Sequence, residues 1–278
     1  MEVIVAKTAG FCFGVKRAVE KVYANADNEH VYTYGPIIHN EQVVADLEKH
    51  GVRVVEEDTD LSVLPKGTVV VRAHGASRDE FDRLRKSGME IEDATCPFVS
   101  KIYRIVEEES AAGRTVVIVG NAAHPEVKGI KGWSGADTYV VGSVEEAKNI
   151  NILSQKISIV SQTTFNLKKF QEIVEIFDKK DYDIKCLNTI CNATEVRQTE
   201  ARQIASQVDA MIVIGGKNSS NTQKLFEICK EECSNTYYIQ TAEDLDYTAI
   251  RGMQRIGITA GASTPKNIIE EVQTRCQI

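Results

Sequence analysis

The same order of strands, polar loops and helices occurs three times along the 278-residue chain. This repeat limits the possible folds more than any other feature of the sequence. In each copy a strand rich in β-branched residues runs into a turn, a cysteine and a helix. The three segments are VIVAKTAGFC ending at Cys12, MEIEDATC ending at Cys96 and YDIKCLNTIC ending at Cys191. Strands that alternate with helices predict parallel sheets with helices on both faces.

Two further strands in each repeat end in polar loops. The first loop carries a His or Ser 27 or 28 residues after the cysteine, and the second carries a His, Thr or Ser 62 to 72 residues after it. These positions are His39, His124, Ser219, His74, Thr163 and Ser263. Ligands of parallel α/β sheets bind outside the carboxyl ends of the strands. We therefore expect the loops and cysteines to converge if the units surround a pseudo-threefold axis.

The third repeat runs out of chain after its last helix, so we expect residues 2–7 to supply its missing fourth strand. The predicted units are residues 14–96, residues 97–192, and residues 193–278 completed by the N-terminal strand within residues 1–13. The expected fold is α/β, with three pseudo-symmetric open units. Each unit has a mostly parallel four-stranded sheet, and the units surround a central site built on the cysteines.

Cys12, Cys96 and Cys191 are candidate ligands of one metal centre. Each precedes a helix, where the positive end of the helix dipole favours a thiolate. A lone cysteine is by default a small buried apolar residue, but the threefold recurrence argues against that interpretation here. Zinc with a histidine as fourth ligand is one alternative, although zinc usually takes ligands at short spacings. A [4Fe–4S] cluster is the favoured alternative, and three thiolates would leave one iron open to a substrate oxygen.

The remaining cysteines are interpreted as structural residues. The chain has seven cysteines, an odd number, and no recognisable secretion signal, so a disulfide framework is not expected. The cysteines given this structural interpretation are Cys186, Cys229, Cys233 and Cys276.

The polar loops favour an anionic ligand. Hydroxyl, amide and imidazole groups beside helix starts are suited to phosphate oxygens. The candidates are His39, His74, His124, Ser219, Ser220, Asn221 and Ser263. Taken singly, each has an ordinary explanation as a helix cap or a structural histidine. Glu126 is a candidate proton donor, with Thr163 as a relay, although an acid in the first turn of a helix is also favourable in itself.

Composition excludes several other classes of protein. The net charge is −7 and no basic tail or stripe occurs, so nucleic acid is not an expected partner. No apolar run reaches the ~18–20 residues that cross a bilayer. The N-terminus, MEVIVAKTAG, lacks a basic region before its apolar residues and is interpreted as a strand. We expect a cytoplasmic protein without a membrane partner.

Nine motifs together resemble the 4-hydroxy-3-methylbut-2-enyl diphosphate reductase family, which catalyses the last step of the non-mevalonate isoprenoid pathway. The resemblance extends from about residue 3 to residue 268. The motifs, in order, are GFCFGVKRAVE, GPIIHN, VVRAHG, DATCPFV, GNAAHPEV, SQTT, NTICNAT, KNSSN and GASTP.

This resemblance implies one [4Fe–4S] cluster per chain on Cys12, Cys96 and Cys191. It implies a diphosphate held by the seven polar residues given above together with Thr163, and catalysis by Glu126, Thr163 and His124. The implied reaction is two-electron reductive removal of the C4 hydroxyl at the open iron. Its products are isopentenyl diphosphate and dimethylallyl diphosphate. The implied electron donor is a reduced ferredoxin or flavodoxin, and the sequence does not choose between them.

Two other functions remain open at this point. A dehydratase-type synthase that condenses small acids would also use three cysteines, but a dicarboxylate site would favour arginine forks over the KNSSN and HPE loops. A cluster-bearing sensor or ligand-binding module would make Glu126 dispensable.

Overall fold

The structure, a computed structural model, describes residues 1–277. Its strands are β1 (Glu2–Val5), β2 (Val31–Tyr34), β3 (Val52–Val55), β4 (Thr68–Val71), β5 (Glu90–Asp93), β6 (Thr115–Val119), β7 (Thr138–Val141), β8 (Lys156–Ser161), β9 (Asp183–Cys186), β10 (Ala210–Ile214), β11 (Thr236–Ile239) and β12 (Arg255–Ala260). Its helices are α1 (Phe13–Asn25), α2 (Glu41–Lys49), α3 (Arg78–Lys86), α4 (Pro97–Ala111), α5 (Pro125–Trp133), α6 (Val144–Asn149), α7 (Leu167–Asp178), α8 (Asn192–Ala205), α9 (Ser220–Glu232) and α10 (Lys266–Cys276). Short 3₁₀ turns span Leu61–Val63, Ala242–Asp244 and Tyr247–Ile250.

The strands form three four-stranded sheets with one common order. The orders are β3-β2-β4-β5, β7-β6-β8-β9 and β11-β10-β12-β1. Every strand pair in the described part of the chain is parallel. In the third sheet the N-terminal strand β1 pairs with β12, with Glu2 opposite Arg255. The expected α/β fold with parallel four-stranded sheets is therefore confirmed.

The chain divides into two compact units. The terminal unit contains Met1–Lys16, Ile38–Ala45 and Asn192–Ile278, and the central unit contains Arg17–Ile37 and Asp46–Cys191. The central unit holds the first two sheets, and the terminal unit holds the sheet that includes β1. The expected division into three domains, at the bounds given above, stays a prediction.

The inner strands are apolar on both faces because helices cover both faces of each sheet. In β10 every residue is buried, and its side chains alternate between two cores. Ile212 and Ile214 pack in the core that includes Val272 of α10, while Met211 packs on the opposite face in the core that includes Leu225 of α9. Such continuous apolar runs are typical of parallel strands. Among residues 1–277, no helix combines the length and the apolar character needed to cross a membrane.

Helix starts are fixed by the residues that follow the strands. Ser77 caps α3 with a full capping box to Glu80, and Asn166 accepts a hydrogen bond from the amide of Lys169 at the start of α7. Pro97 is the first residue of α4, where a missing amide hydrogen costs nothing. These caps hold the helix N-termini at the carboxyl edges of the sheets, beside the polar loops.

Truncation of one inner-strand side chain tests the two-faced core. Ile212 is fully buried, so Ile212→Ala should lower the free energy of unfolding by about 2–5 kcal/mol, through lost burial and the cavity left behind. Leu153 is 87% exposed, and Leu153→Ala should leave stability within about 0.5 kcal/mol of the wild type. Urea unfolding followed by circular dichroism measures both. Equal losses would contradict the described packing.

Candidate active site

The common strand order of the sheets sets where polar loops meet. In each sheet the first and third strands of the repeat are neighbours, and the chain leaves them toward opposite edges. Such a reversal opens a crevice beyond the carboxyl ends of those two strands, where α/β proteins bind ligands. The pairs are β2 with β4, β6 with β8, and β10 with β12. All six loop positions of the repeat follow these strands in the chain: His39, His74, His124, Thr163, Ser219 and Ser263.

Each candidate ligand cysteine is held by the same main-chain hydrogen bond. The amide of Cys12 donates to the carbonyl of Ala262 at 3.2 Å. The amide of Cys96 donates to the carbonyl of Ala73 at 3.0 Å, and that of Cys191 to the carbonyl of Thr163 at 3.0 Å. Two acceptors directly precede the loop residues Ser263 and His74, and the third is the loop residue Thr163 itself. The turn after the fourth strand is thus tied to the loop after the third strand.

These cysteines also occupy helix N-termini. The carbonyl of Cys12 accepts a hydrogen bond from the amide of Lys16 at 2.9 Å, and that of Cys96 from the amide of Ser100 at 3.0 Å. Helix α8 begins directly after Cys191. All three cysteines are partly exposed. A residue at a helix start lies beside amides that have no partner within the helix, a position that suits a ligand of a metal centre.

The remaining cysteines have different surroundings. Cys229, Cys233 and Cys276 are buried, and burial raises the pKa of Cys229 to about 12 and that of Cys276 to about 11. Cys186 is exposed, and partial burial of its thiol also raises its pKa. The raised pKa values of Cys186, Cys229 and Cys276 favour the protonated thiol, in agreement with a structural interpretation.

In the terminal unit, the loop before α9 lies close to the side chain of Thr222 and the main chain of His39. Ser219 caps α9, and its hydroxyl oxygen accepts hydrogen bonds from the amide and the hydroxyl of Thr222 at 3.3 and 2.9 Å. A Cβ atom at Gly215 would lie 2.9 Å from Cγ2 of Thr222, and one at Gly216 would lie 2.6 Å from the carbonyl oxygen of His39. Glycine at these positions therefore allows the close approach. The hydroxyl of Ser263 donates to the same His39 carbonyl at 3.1 Å.

The side-chain amide of Asn221 is buried in this unit without a partner in the described residues. The residue is 4% exposed, and neither its amide nitrogen nor its amide oxygen has a hydrogen-bond partner within residues 1–277. A buried amide without partners costs about 1–3 kcal/mol. A bound anion would supply an acceptor for the side-chain amide.

In the central unit, two of the predicted histidines are in contact. The rings of His74 and His124 meet edge to face, with centroids 5.3 Å apart and planes at 81°. Nδ1 of His124 accepts a hydrogen bond from the amide of Glu126 at 3.2 Å. This assigns the proton of the neutral His124 ring to Nε2, which can donate to an anion.

Glu126 and Thr163 form a buried acid–hydroxyl pair. The amide of Thr163 donates to Oε1 of Glu126 at 2.6 Å, and its hydroxyl donates to Oε2 at 2.8 Å. Glu126 is 2% exposed, and this burial raises its pKa to about 7, against the lowering effect of both hydrogen bonds. A carboxyl group poised near neutrality is suited to proton transfer.

Two residues that hold the site segments were not found from the sequence. Arg197 and Glu200 on α8 bond the main chain before Cys12. The sequence pattern of α8 predicts its buried side poorly, because few residues on that side are large and apolar. Its buried residues are Thr194, Arg197, Gln198, Ala201 and Ala205.

The predicted site residues thus fall into two groups, one in each compact unit. The terminal unit contains Cys12, His39, Ser219, Ser220, Asn221 and Ser263. The central unit contains His74, Cys96, His124, Glu126, Thr163 and Cys191. The role of each residue stays a prediction.

The fold and the two groups define a parallel α/β protein with helix-start cysteines, polar loops at the carboxyl ends of its strands and a buried acid. The LytB protein family model matches residues 3–277. A curated 4-hydroxy-3-methylbut-2-enyl diphosphate reductase of Caldanaerobacter subterraneus subsp. tengcongensis is 48% identical over 98% of this chain and 95% of its own length. One of the same name from Geobacter sulfurreducens is 46% identical over 100% of this chain and 97% of its own length. The chain belongs to the LytB protein family.

Solved structures agree with this assignment. The E-1-hydroxy-2-methyl-but-2-enyl-4-diphosphate reductase of Plasmodium falciparum has a TM-score of 0.93 at 28% identity, covering 99% of this chain and 87% of its own. An (E)-4-hydroxy-3-methyl-but-2-enyl diphosphate reductase, described as the terminal enzyme of the non-mevalonate pathway, has a TM-score of 0.71 at 42% identity, covering 100% of this chain and 99% of its own. The family resemblance and the expectation of a reductase are confirmed.

The raised pKa of Glu126 predicts a pH-dependent stability. The Glu126 carboxyl group binds its proton more tightly in the folded chain than in the unfolded chain. The protonated group therefore contributes its full stabilisation below the ordinary pKa of 4.5, and this contribution is lost as pH rises through about 7. Glu126→Gln should therefore gain up to about 3 kcal/mol relative to the wild type between about pH 5 and about pH 8.

Urea unfolding across this pH range measures the difference. Glu175→Gln, at an exposed position of α7, is the control for the loss of a surface carboxylate. A stability difference for Glu126→Gln that stays constant with pH would contradict the buried-acid interpretation.

Proposed function

We propose that this chain is a 4-hydroxy-3-methylbut-2-enyl diphosphate reductase that replaces the C4 hydroxyl of its substrate by hydrogen. Two electrons and two protons are consumed, water leaves, and isopentenyl and dimethylallyl diphosphate are formed. The reaction is taken from relatives of that name, which are up to 48% identical over nearly the whole chain. The structural observation that supports it most directly is the buried Glu126–Thr163 pair.

The proposed cofactor is one [4Fe–4S] cluster on Cys12, Cys96 and Cys191. These cysteines fit such a group because they are partly exposed, they precede helices and their amides are fixed in the same way. When bound, the cluster supplies electrons and an open iron that acts as a Lewis acid toward the substrate oxygen. A reduced ferredoxin or flavodoxin is the proposed electron donor, and a cytoplasmic location is part of the same proposal.

The proposed diphosphate site uses short polar side chains and imidazoles from the loops. The amide of Asn221 gains a hydrogen-bond partner when a phosphate oxygen is bound, and Nε2 of His124 donates a further hydrogen bond. The other proposed diphosphate-binding residues are His39, His74, Thr163, Ser219, Ser220 and Ser263.

The proposed proton donor is Glu126. Because its pKa is about 7, a large fraction of this carboxyl group is protonated at neutral pH. The hydroxyl of Thr163, 2.8 Å from Oε2, passes a proton to the leaving oxygen and is reprotonated by Glu126. That proton converts the departing hydroxyl into water, and the second proton is added to the carbon skeleton.

Replacement of single cysteines tests the cofactor assignment. Cys191→Ser should abolish oxidation of a reduced viologen by the allylic diphosphate and lower the iron content after anaerobic purification. Cys229→Ser and Cys186→Ser should retain both, since one residue is buried in α9 and the other lies in β9. Comparable losses in all three would contradict the assignment from the repeat. A wild-type chain that holds no iron after anaerobic reconstitution would contradict the cluster itself.

Replacement of Asn221 separates binding from stability. Asn221→Leu removes a buried amide that has no partner in the described residues, so the free energy of unfolding should stay the same or rise by about 1 kcal/mol. Affinity for inorganic diphosphate should fall by roughly 10–100-fold, since a hydrogen bond to a charged group is lost.

The matched control is Asn166→Leu, because Asn166 is also buried but caps α7 through a 3.0 Å hydrogen bond. This change should cost about 1 kcal/mol of stability and leave the affinity unchanged. Calorimetric titration and urea unfolding give both quantities. Unchanged diphosphate affinity in Asn221→Leu would exclude this residue from the anion site.

A further inference from the structure

We infer that the helix after each cluster cysteine fixes the segment that leads to the next cluster cysteine, so that α8 positions Cys12, α1 positions Cys96 and α4 positions the strand before Cys191. This inference rests on the proposed cluster ligands. It assigns positioning roles to Arg197, Glu200 and Arg17, whose side chains bond the main chain of those segments.

Arg197 on α8 is the strongest of these contacts. It is a buried arginine, 3% exposed, whose guanidinium donates to two main-chain carbonyls. Nη2 reaches the carbonyl of Gly10 at 3.0 Å, and Nη1 reaches that of Ala260 at 2.8 Å. Gly10 lies two residues before Cys12, and Ala260 is the last residue of β12. One planar group therefore fixes the approach to Cys12 relative to the end of the neighbouring strand.

Glu200 holds the same segment one helical turn later. Its carboxylate accepts hydrogen bonds from the amide of Lys7 at 2.8 Å, and from the amide and hydroxyl of Thr8 at 2.9 and 2.6 Å. Strand β1 ends at Val5, so these amides lie beyond the strand and take a side-chain acceptor instead. Gly10 adopts φ +100°, a conformation that few other residues tolerate. The turn before Cys12 thus depends on α8 for its conformation.

Helix α1 makes the corresponding contacts ahead of Cys96. Nη1 of Arg17 donates to the carbonyl of Thr95 at 3.0 Å, and Thr95 directly precedes Cys96. One turn further along the helix, Lys21 forms an ion pair with Glu92 of β5. The pattern matches α8: one arginine bonds the carbonyl just before the cysteine, and a charged residue one turn later holds the preceding segment.

Helix α4 makes a related but less complete set of contacts ahead of Cys191. Glu109 is 7% exposed and forms an ion pair with Lys185 of β9, with the signs reversed relative to Lys21 and Glu92. Its other oxygen accepts from the hydroxyl of Ser158 in β8 at 2.8 Å. Here the helix holds the strand, and the turn is fixed by Thr189, whose hydroxyl donates to the carbonyl of Ser161 at 2.6 Å.

The segment that α8 holds in place is therefore not the segment next to α8 in the sequence. Arg197 lies six residues after Cys191 in the sequence, yet its side chain bonds the segment of Cys12. Loss of Arg197 or Glu200 should therefore disturb Cys12 and leave Cys191 in place. A purely local effect on α8 would do the opposite and disturb Cys191 first.

The test measures the rate of alkylation of each cysteine separately. The full-length chain is alkylated with iodoacetamide before cluster reconstitution, and labelling rates of the three cysteines are followed by peptide mass spectrometry. In Arg197→Met and Glu200→Gln, Cys12 should be labelled at least about 5-fold faster than in the wild type, with Cys191 unchanged, since only Cys12 loses its anchoring contacts. Arg17→Met should accelerate Cys96 instead. Iron retained after anaerobic reconstitution should fall in all three variants.

Arg202→Met is the matched control, because Arg202 is on the same helix but pairs with Glu231 and Glu232 at the surface. It should match the wild type in labelling and iron content. Arg197→Lys, which keeps a donor, should fall between the wild type and Arg197→Met. Should Arg197→Met not fold, Glu200→Gln and Arg197→Lys decide the question.

Unchanged labelling of Cys12 in the folded α8 variants would overturn the inference, as would faster labelling of Cys191. These outcomes would leave the proposed function intact if the wild type holds iron. A wild-type chain without iron after reconstitution would overturn both, because the inference rests on the cluster.

Discussion

The hydrogen bond from the main-chain amide of each proposed cluster cysteine to the loop after the neighbouring strand is the contact on which the rest of the proposed site depends. In every sheet the fourth strand is an edge strand beside the third, so the turn after it comes to lie beside the third strand's loop. The amides of Cys12, Cys96 and Cys191 use this proximity. The same contact that fixes a cysteine therefore also fixes a loop that carries a predicted ligand-binding residue.

Some buried polar groups in or beside the proposed site have no hydrogen-bond partner, which the stability of the fold alone does not favour. Asn221 has a buried amide without partners, and Thr95, beside Cys96, has a buried hydroxyl that is also unsatisfied within residues 1–277. Each such group costs about 1–3 kcal/mol, a noticeable part of a typical stability of about 5–15 kcal/mol. Asn166 and Ser219, which cap helices, have found partners within the fold. The unsatisfied amide of Asn221 therefore supports its proposed role in binding the diphosphate.

Much of the fold could be predicted from the sequence because its signals are local. The β-branched runs mark the inner strands, and Pro97 and Ser77 mark helix starts. The contacts of Arg197 and Glu200 with the segment before Cys12 could not be predicted, since that segment is about 190 residues away in the sequence. The division into compact units also differs from the repeat, because it cuts through α1 and α2. That division depends on which tertiary contacts dominate, and a sequence repeat carries no information on this.

Thr163 connects the two kinds of chemistry proposed for this site. Its amide and hydroxyl both bond the carboxyl group of Glu126, while its carbonyl accepts the amide of Cys191. Burial alone would drive the pKa of Glu126 upward, and the two hydrogen bonds from Thr163 hold it to about 7. One residue therefore limits the pKa of the acid and anchors a proposed cluster ligand. Replacement of the Thr163 side chain would remove only the hydroxyl's hydrogen bond to Glu126, because the contact with Cys191 is made by the main-chain carbonyl.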